Sequence, residues 1–217
     1  MSTAAGARDP LTDPSPVRTL NAANALTLLR LLLVPVFLAL LLAADGKDTD
    51  YRLAACAVFV LAAYTDRIDG QLARAWGLVT AFGKLADPIA DKALTGAALV
   101  GLSLLDELPW AVTIVVAVRE VGVTVLRFVV IRHGVIPASR GGKLKTFLQG
   151  VAIGLYVLPL AGVLASARAW VMALAVAVTL LTGLDYVARA ARLRRTSARA
   201  DLKRAGRAAV GASGERA

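Results

Sequence analysis

The sequence has one cysteine and one histidine in 217 residues. A single cysteine, Cys56, excludes an internal disulfide and any metal centre built on several cysteines. It falls in an apolar run, where a free thiol behaves as a small buried hydrophobe. The lone histidine, His133, falls in a predicted loop. With no second histidine and no evident Ser/His pairing, it is not expected to act as a catalyst. Acidic residues are also scarce: 15 Asp and Glu stand against 25 Lys and Arg, a formal net charge of +10. No internal repeat is visible. The segment from Met1 to Pro16 is polar and proline-rich. It lacks a short apolar core followed by a small-residue cleavage site, so no cleaved signal peptide is expected.

Apolar sequence is what the chain has in excess. Hydrophobic residues make up 58% of it, and its mean hydropathy is +0.67. Ordinary soluble domains hold roughly one half apolar residues. Several stretches approach the ~20 apolar residues needed to cross a hydrocarbon core about 30 Å thick. The expected fold is all-α: a polytopic membrane protein with six transmembrane helices, at about 24–44, 53–75, 83–105, 109–131, 146–165 and 168–187. Residues 1–19 are expected to form a polar, disordered N-terminus, 20–190 the six-helix domain, and 191–217 a basic tail. Connections are short, so neighbouring helices are antiparallel.

Lys and Arg set the orientation. With a cytoplasmic N-terminus, the outer loops hold Lys47, Arg52 and Arg168, and the inner side takes the other 22 of the 25 basic residues. The outer loops also hold Asp45, Asp48, Asp50, Asp106 and Glu107. Both termini are therefore expected in the cytoplasm, in a multi-pass protein of the inner (cytoplasmic) membrane. The outer stretch "DGKDTD" (45–50) lacks the Asp-x-Asp-x-Asp-Gly pattern of a calcium loop and reads as a solvated turn.

This topology gathers four carboxylates. The second helix carries Asp66 and Asp69 to the inner side, and the third starts there with Asp87 and Asp91. Spacings of three and four place each pair on one helix face. A lone aspartate here would cap a helix or lie in a solvated turn. Four at one depth repel one another unless a counter-charge is present. Hard divalent cations such as Mg²⁺ or Mn²⁺ suit carboxylate oxygens, and four carboxylates can hold two ions for phosphoryl chemistry. Gly70 and Ala73 lack bulk and let a ligand come close. Arg74 stands one turn beyond Gly70, where a guanidinium can meet a phosphate. Gly83 stands one turn before Asp87.

The stretch Asp66-x-x-Asp69-Gly70-x-x-Ala73-Arg74, eight residues, Gly83-x-x-x-Asp87-x-x-x-Asp91 resembles the signature of the CDP-alcohol phosphotransferases at every fixed position. The six-helix layout resembles that family over roughly 20–190. The resemblance implies an enzyme that takes a CDP-linked lipid, displaces CMP and joins the phosphatidyl group to an alcohol, with its active site at the cytoplasmic interface. It implies that Asp66, Asp69, Asp87 and Asp91 hold two divalent cations on the CDP pyrophosphate. It further implies that Asp91 is the candidate general base, that Gly70, Ala73, Arg74 and Gly83 shape the CDP-lipid site, and that the protein is a homodimer.

The acceptor is read from "VAVREVGVTVLRF" (116–128) and "RGGKLKT" (140–146). Arg119, Glu120 and Arg127 lie within the fourth helix, where charges should face the bundle interior. Arg140, Lys143 and Lys145 start the fifth helix on the inner side. Two glycines before the lysines would let that backbone fold close to a ligand. Together these basic groups read as a receptor for a phosphorylated acceptor. Ordinary positive-inside bias is the plainer account of Lys143 and Lys145, and helix packing that of Arg119. Arg119-Glu120, Arg127, Lys143-x-Lys145-Thr146 and the opening Asn24, Thr27, Arg30 and Pro35 are similar to the glycerol-3-phosphate users of the family. That implies transfer from CDP-diacylglycerol to sn-glycerol 3-phosphate, yielding phosphatidylglycerol phosphate. Branches using inositol phosphate or phosphatidylglycerol share the aspartates.

Arg189, Arg192, Arg194, Arg195, Arg199, Lys203, Arg204 and Arg207 form a basic run. Directly after a membrane helix on the inner side, its expected partner is anionic headgroups, not nucleic acid. A small cation transporter is the alternative from another class. It would spread carboxylates across the membrane depth and leaves Gly70, Ala73, Arg74 and Gly83 unexplained. A membrane prenyltransferase needs a longer chain.

Overall fold

The computed structural model describes the backbone of residues 22–75, 81–130 and 140–214. Side chains are described there except at 22–24, 66–75, 81–88, 91, 127, 128, 130, 140 and 194–214. Among the described residues the fold is all-helical, with no strand. Six α-helices run in order: α1 (Ala22–Leu42), α2 (Thr49–Ala75), α3 (Ala81–Leu104), α4 (Trp110–Val130), α5 (Arg140–Val157) and α6 (Gly162–Gly214).

The breaks have local causes. α1 tolerates an internal Pro35 and ends in a 3₁₀ turn in which Ala44, Asp45 and Gly46 all take positive φ. Asp48 then caps α2, its Oδ1 accepting from the amides of Asp50 at 2.9 Å and Tyr51 at 3.1 Å. The "DGKDTD" stretch is thus a turn followed by a helix cap. The α3–α4 turn passes through Asp106 at φ 57°, a conformation that Asp tolerates better than most residues.

The last two helices differ from the sequence expectation at both ends. The fifth helix was expected at 146–165 but runs from Arg140 to Val157. Pro159 ends it, since proline disfavours a helical conformation in the residue before it. Gly141 and Gly142, expected to let the backbone fold close to a ligand, lie inside the first turn of α5. The sixth helix was expected at 168–187 but runs from Gly162 to Gly214. Its basic continuation is rich in Ala and Arg, residues that lose little in a helix, so the expected tail continues the last helix.

α1 packs on α2 and α3, α5 on α6 and α2, α4 on α6 and α3, and α3 also on α5. Phe37, Leu41, Phe59, Leu99, Leu102 and Ile153 are central to the buried core. The α1–α3 approach needs Gly101, where a Cβ would lie 2.7 Å from Leu41 Cδ2. Ser103 and Thr113 join α3 to α4 through a buried hydroxyl pair at 2.7 Å.

The outer surface is oily. On α4 alone Ile114, Val118, Val121, Val125 and Val129 are exposed along one stripe. Continuous apolar patches of this kind mark a membrane or protein interface. Among the described residues, two helical segments, Ala25–Gly46 and Gly162–Leu193, are long and apolar enough to cross a membrane. The other helices are interrupted by charge: Asp66 and Asp69 in α2, Asp87 and Asp91 in α3, Arg119 and Glu120 in α4, Lys143 and Lys145 in α5.

Candidate active site

Three residues expected in outer loops meet at one end of the bundle. Arg52 lies inside α2 and is buried. Its guanidinium grips Glu107 bidentately at 2.6 and 3.0 Å and also donates to the carbonyls of Tyr156 and Val157 at 2.5 and 2.9 Å. Arg168 donates to the same Glu107 at 3.1 Å and lies 4.8 Å over the Tyr156 ring. A carboxylate held by two guanidiniums thus ties the start of α2, the α3–α4 turn, the end of α5 and the start of α6.

Toward the other end, charge gathers around Glu120 of α4. Lys145 of α5 donates to Oε1, which also accepts from Arg119 Nη1 at 3.1 Å. Lys92 of α3 stands 3.5 Å from Oε2. Lys145 and Glu120 are largely buried, so each needs the other's charge. Arg119 is held from α6 as well: Nε donates to the Thr179 carbonyl at 3.2 Å and Nη2 to Thr182 Oγ1 at 3.0 Å. Next to this cluster Arg189 pairs with Asp185 at 2.9 Å.

These charges line one end of a cavity of about 1280 Å³. Ligand pockets commonly hold about 300–1,000 Å³, so this one is large. Lys92, Arg119, Glu120, Lys143 and Lys145 line its charged part, and Cys56, Phe59, Leu99, Leu155 and Leu158 its apolar part. Arg30 of α1 also reaches it, and both Arg30 and Thr27 are fully buried. Arg119 and Glu120 of the fourth helix, and Thr27 and Arg30 of the first-helix motif, therefore face the interior, as a membrane segment requires. Pro35 is exposed, and the side chains of Arg127 and Asn24 lie outside the description.

The expected site residues divide as follows. Asp66, Asp69, Gly70, Ala73 and Arg74 lie in the last part of α2, and Gly83, Asp87 and Asp91 in the first three turns of α3, an adjacent helix. Their side-chain geometry falls outside the described residues. Of the acceptor set, Arg119 and Lys145 meet through Glu120, and Lys143 lines the same cavity while staying exposed. The side chains of Arg127 and Arg140, and His133 altogether, lie outside the description. Sequence reasoning missed Lys92, Thr182, Asp185 and Gln149 as cavity residues. The signal for Lys92 was its place directly after Asp91. Asp185 and Arg189, four apart, were legible as a helical pair.

Four carboxylates at helical spacing on two packed helices are a donor set of the chemistry that suits a hard cation. Comparison with known proteins decides the family. The model of the CDP-alcohol phosphatidyltransferase family matches residues 20–181. The chain belongs to this family. Members of the CDP-alcohol phosphatidyltransferase family are enzymes that generally use divalent metal ions. The chain is 59% identical over 175 residues to a probable phosphatidylglycerophosphate synthase of Mycobacterium tuberculosis, covering 81% of this chain and 84% of that protein. It is 39% identical over 148 residues to the CDP-diacylglycerol–glycerol-3-phosphate 3-phosphatidyltransferase of Bacillus subtilis, covering 64% and 77%. It is also 34% identical over 160 residues to a cardiolipin synthase (CMP-forming) of Streptomyces coelicolor, covering 73% and 72%.

Proposed function

We propose that this CDP-alcohol phosphatidyltransferase transfers the phosphatidyl group of CDP-diacylglycerol to sn-glycerol 3-phosphate, releasing CMP and forming phosphatidylglycerol phosphate. The observation that carries the acceptor is the Glu120 cluster. Three cations, Lys92, Arg119 and Lys145, surround one carboxylate on the cavity wall. The excess of two positive charges matches a phosphate monoester, which carries about −1.5 to −2 at pH 7. The M. tuberculosis and B. subtilis relatives, by their names, support the same acceptor.

In this reading the acceptor's phosphate binds at Arg119, Lys143 and Lys145, with Arg127 and Arg140 completing the basic wall. The acceptor hydroxyl then attacks the phosphatidyl phosphorus. A P–O bond forms, the P–O bond to CMP breaks, and CMP leaves with the electron pair. Asp91 takes or orients the hydroxyl proton. Gly70, Ala73, Arg74 and Gly83 receive the CDP group. Asp66, Asp69, Asp87 and Asp91 would hold two divalent cations, Mg²⁺ or Mn²⁺, which neutralise the pyrophosphate when bound.

All six α-helices cross the membrane in this reading, residues 20–190 forming the catalytic domain. Both termini and the active site face the cytoplasm, and the protein pairs as a homodimer. The polar segment 1–19 stays outside the domain. The basic end of α6, residues 191–217, lies against anionic headgroups.

A second reading, transfer to phosphatidylglycerol, is favoured by the S. coelicolor relative. A bulky lipid acceptor needs no receptor of two excess positive charges. The deciding experiment is CMP release by the purified protein from CDP-diacylglycerol, with glycerol 3-phosphate, inositol phosphate and phosphatidylglycerol offered separately. Release with glycerol 3-phosphate alone is expected. Release only with another acceptor would overturn the reading.

A further inference from the structure

The basic wall accounts for only one end of the cavity. The rest follows α5. Gly142, Thr146, Gly150, Gly154 and Leu158, each four residues from the next, all line it. A Cβ built at Gly150 or Gly154 meets nothing within 4 Å, and the same holds at Gly96 across the cavity on α3. The slot is therefore open at these three glycines, and Phe59, Leu99, Leu155 and Leu158 share its lining.

Gln149 stands where charge gives way to oil. It is one turn beyond Lys145 on the same face of α5 and is 5% exposed. Its Oε1 is buried with no hydrogen-bond partner among the described residues, and the side chain lines the cavity. A buried amide without a partner is costly and marks a place for a polar group from elsewhere. Amide O and N exchange places on a flip, and in the flipped orientation the buried atom is the amide N–H, which donates to a carbonyl. From Gln149 to Val157, the end of α5, the helix rises about 12 Å at 1.5 Å per residue. One leaflet of a hydrocarbon core about 30 Å thick is of similar depth.

We infer that this slot is a binding site for one fatty-acyl chain of the donor lipid, with Gln149 donating to the chain's ester carbonyl and Gly150 and Gly154 setting how long a chain is accepted. The inference rests on the proposed reaction for the identity of the lipid. The ligand chemistry, an ester followed by a hydrocarbon chain, is shared by any bilayer phospholipid. The donor is preferred over a bystander phospholipid because the slot belongs to the same cavity as the proposed reaction site.

The test uses full-length protein in detergent with CDP-diacylglycerols of six-carbon and sixteen-carbon chains. Gly150→Leu and Gly154→Leu should lower kcat/KM for the long donor at least about tenfold relative to the short one. The control is Gly122→Leu, where a Cβ also meets nothing within 4 Å but the residue lies outside the cavity lining. It should change neither. Gln149→Ala should lower kcat/KM for the diester donor severalfold and leave a diether donor unaffected. Equal losses on both chain lengths, or equal losses on diester and diether, would overturn the inference. A wild-type protein that releases no CMP from either donor refutes the proposed reaction instead. Labelling by a CDP-lipid and a phosphatidylcholine, each with a photoreactive acyl end, then decides the slot. Labelling of 150–158 by the CDP-lipid, reduced in Gly154→Leu, supports the inference. Labelling confined to outward residues such as Leu164, or equal labelling by phosphatidylcholine, overturns the assignment to the donor.

Discussion

Gly183 of α6 leaves the space in which Arg119 of α4 lies. A Cβ at position 183 would come within 3.2 Å of Arg119 Cγ and 3.5 Å of its Nε. The guanidinium can then reach the Thr179 carbonyl, Thr182 and Glu120 together. Gly183→Ala sets two effects against each other. Alanine favours the helix by up to about 1 kcal/mol, while its methyl pushes Arg119 by a few tenths of an ångström. The melting temperature should hold or rise, and KM for glycerol 3-phosphate should rise severalfold. An unchanged acceptor KM would remove Arg119 from the acceptor site.

Lys145→Ala should chiefly raise the acceptor KM. A lost charge-assisted contact costs about 1.5–3 kcal/mol, or roughly tenfold to a hundredfold at ~1.4 kcal/mol per decade. High glycerol 3-phosphate should partly restore the rate. Asp91→Ala should not be rescued at all. If Lys145→Ala instead weakens the CDP-lipid and leaves the acceptor KM unchanged, the proposed division of the site is wrong.

Arg52→Ala should destabilise without touching the chemistry directly. It leaves Glu107 to Arg168 alone and strips the Tyr156 and Val157 carbonyls of their donor. Breaking a buried pair costs about 3–5 kcal/mol, which a thermal melt in detergent would detect. KM values for protein still folded should match wild type. A normal melting temperature would show that the clamp is not structural.

Chelation should abolish CMP release, and Mg²⁺ or Mn²⁺ should restore it. Asp69→Asn and Asp87→Asn should each cost orders of magnitude, since charge stabilisation by a catalytic cation is worth several kcal/mol. Full activity in chelator would sink the two-cation reading.

A reporter placed in 46–49 should be labelled from outside the cell, and one in 134–141 only from within. The reverse pattern would part the aspartates from a cytoplasmic substrate and overturn the orientation drawn from Lys and Arg.

Several features were legible without coordinates because each is local. Apolar runs at helical period place α1 to α4 to within a few residues, and a charge inside such a run must face inward, as Arg119 does. The Asp66 to Asp91 motif resembles the family's signature because its fixed positions are read directly from the chain, and within each aspartate pair helical spacing sets the face. The end of α5 was misplaced because apolar residues continue past Val157, while Pro159 stops the helix regardless of hydropathy. The basic tail was read from its charge, and its helix propensity was left out of account.

The sequence by itself determined the helical class, the family and the list of charges that had to be buried. Only the tertiary structure decided their partners: Lys92 and Lys145 with Glu120, Arg52 and Arg168 with Glu107, Gly183 beneath Arg119, Gln149 beside the cavity. Helical periodicity tells which face a residue occupies. It does not tell which helix lies against that face. That choice depends on the packing of six helices at once, and hence on close approaches such as Gly101 against Leu41, whose cost no single segment reveals.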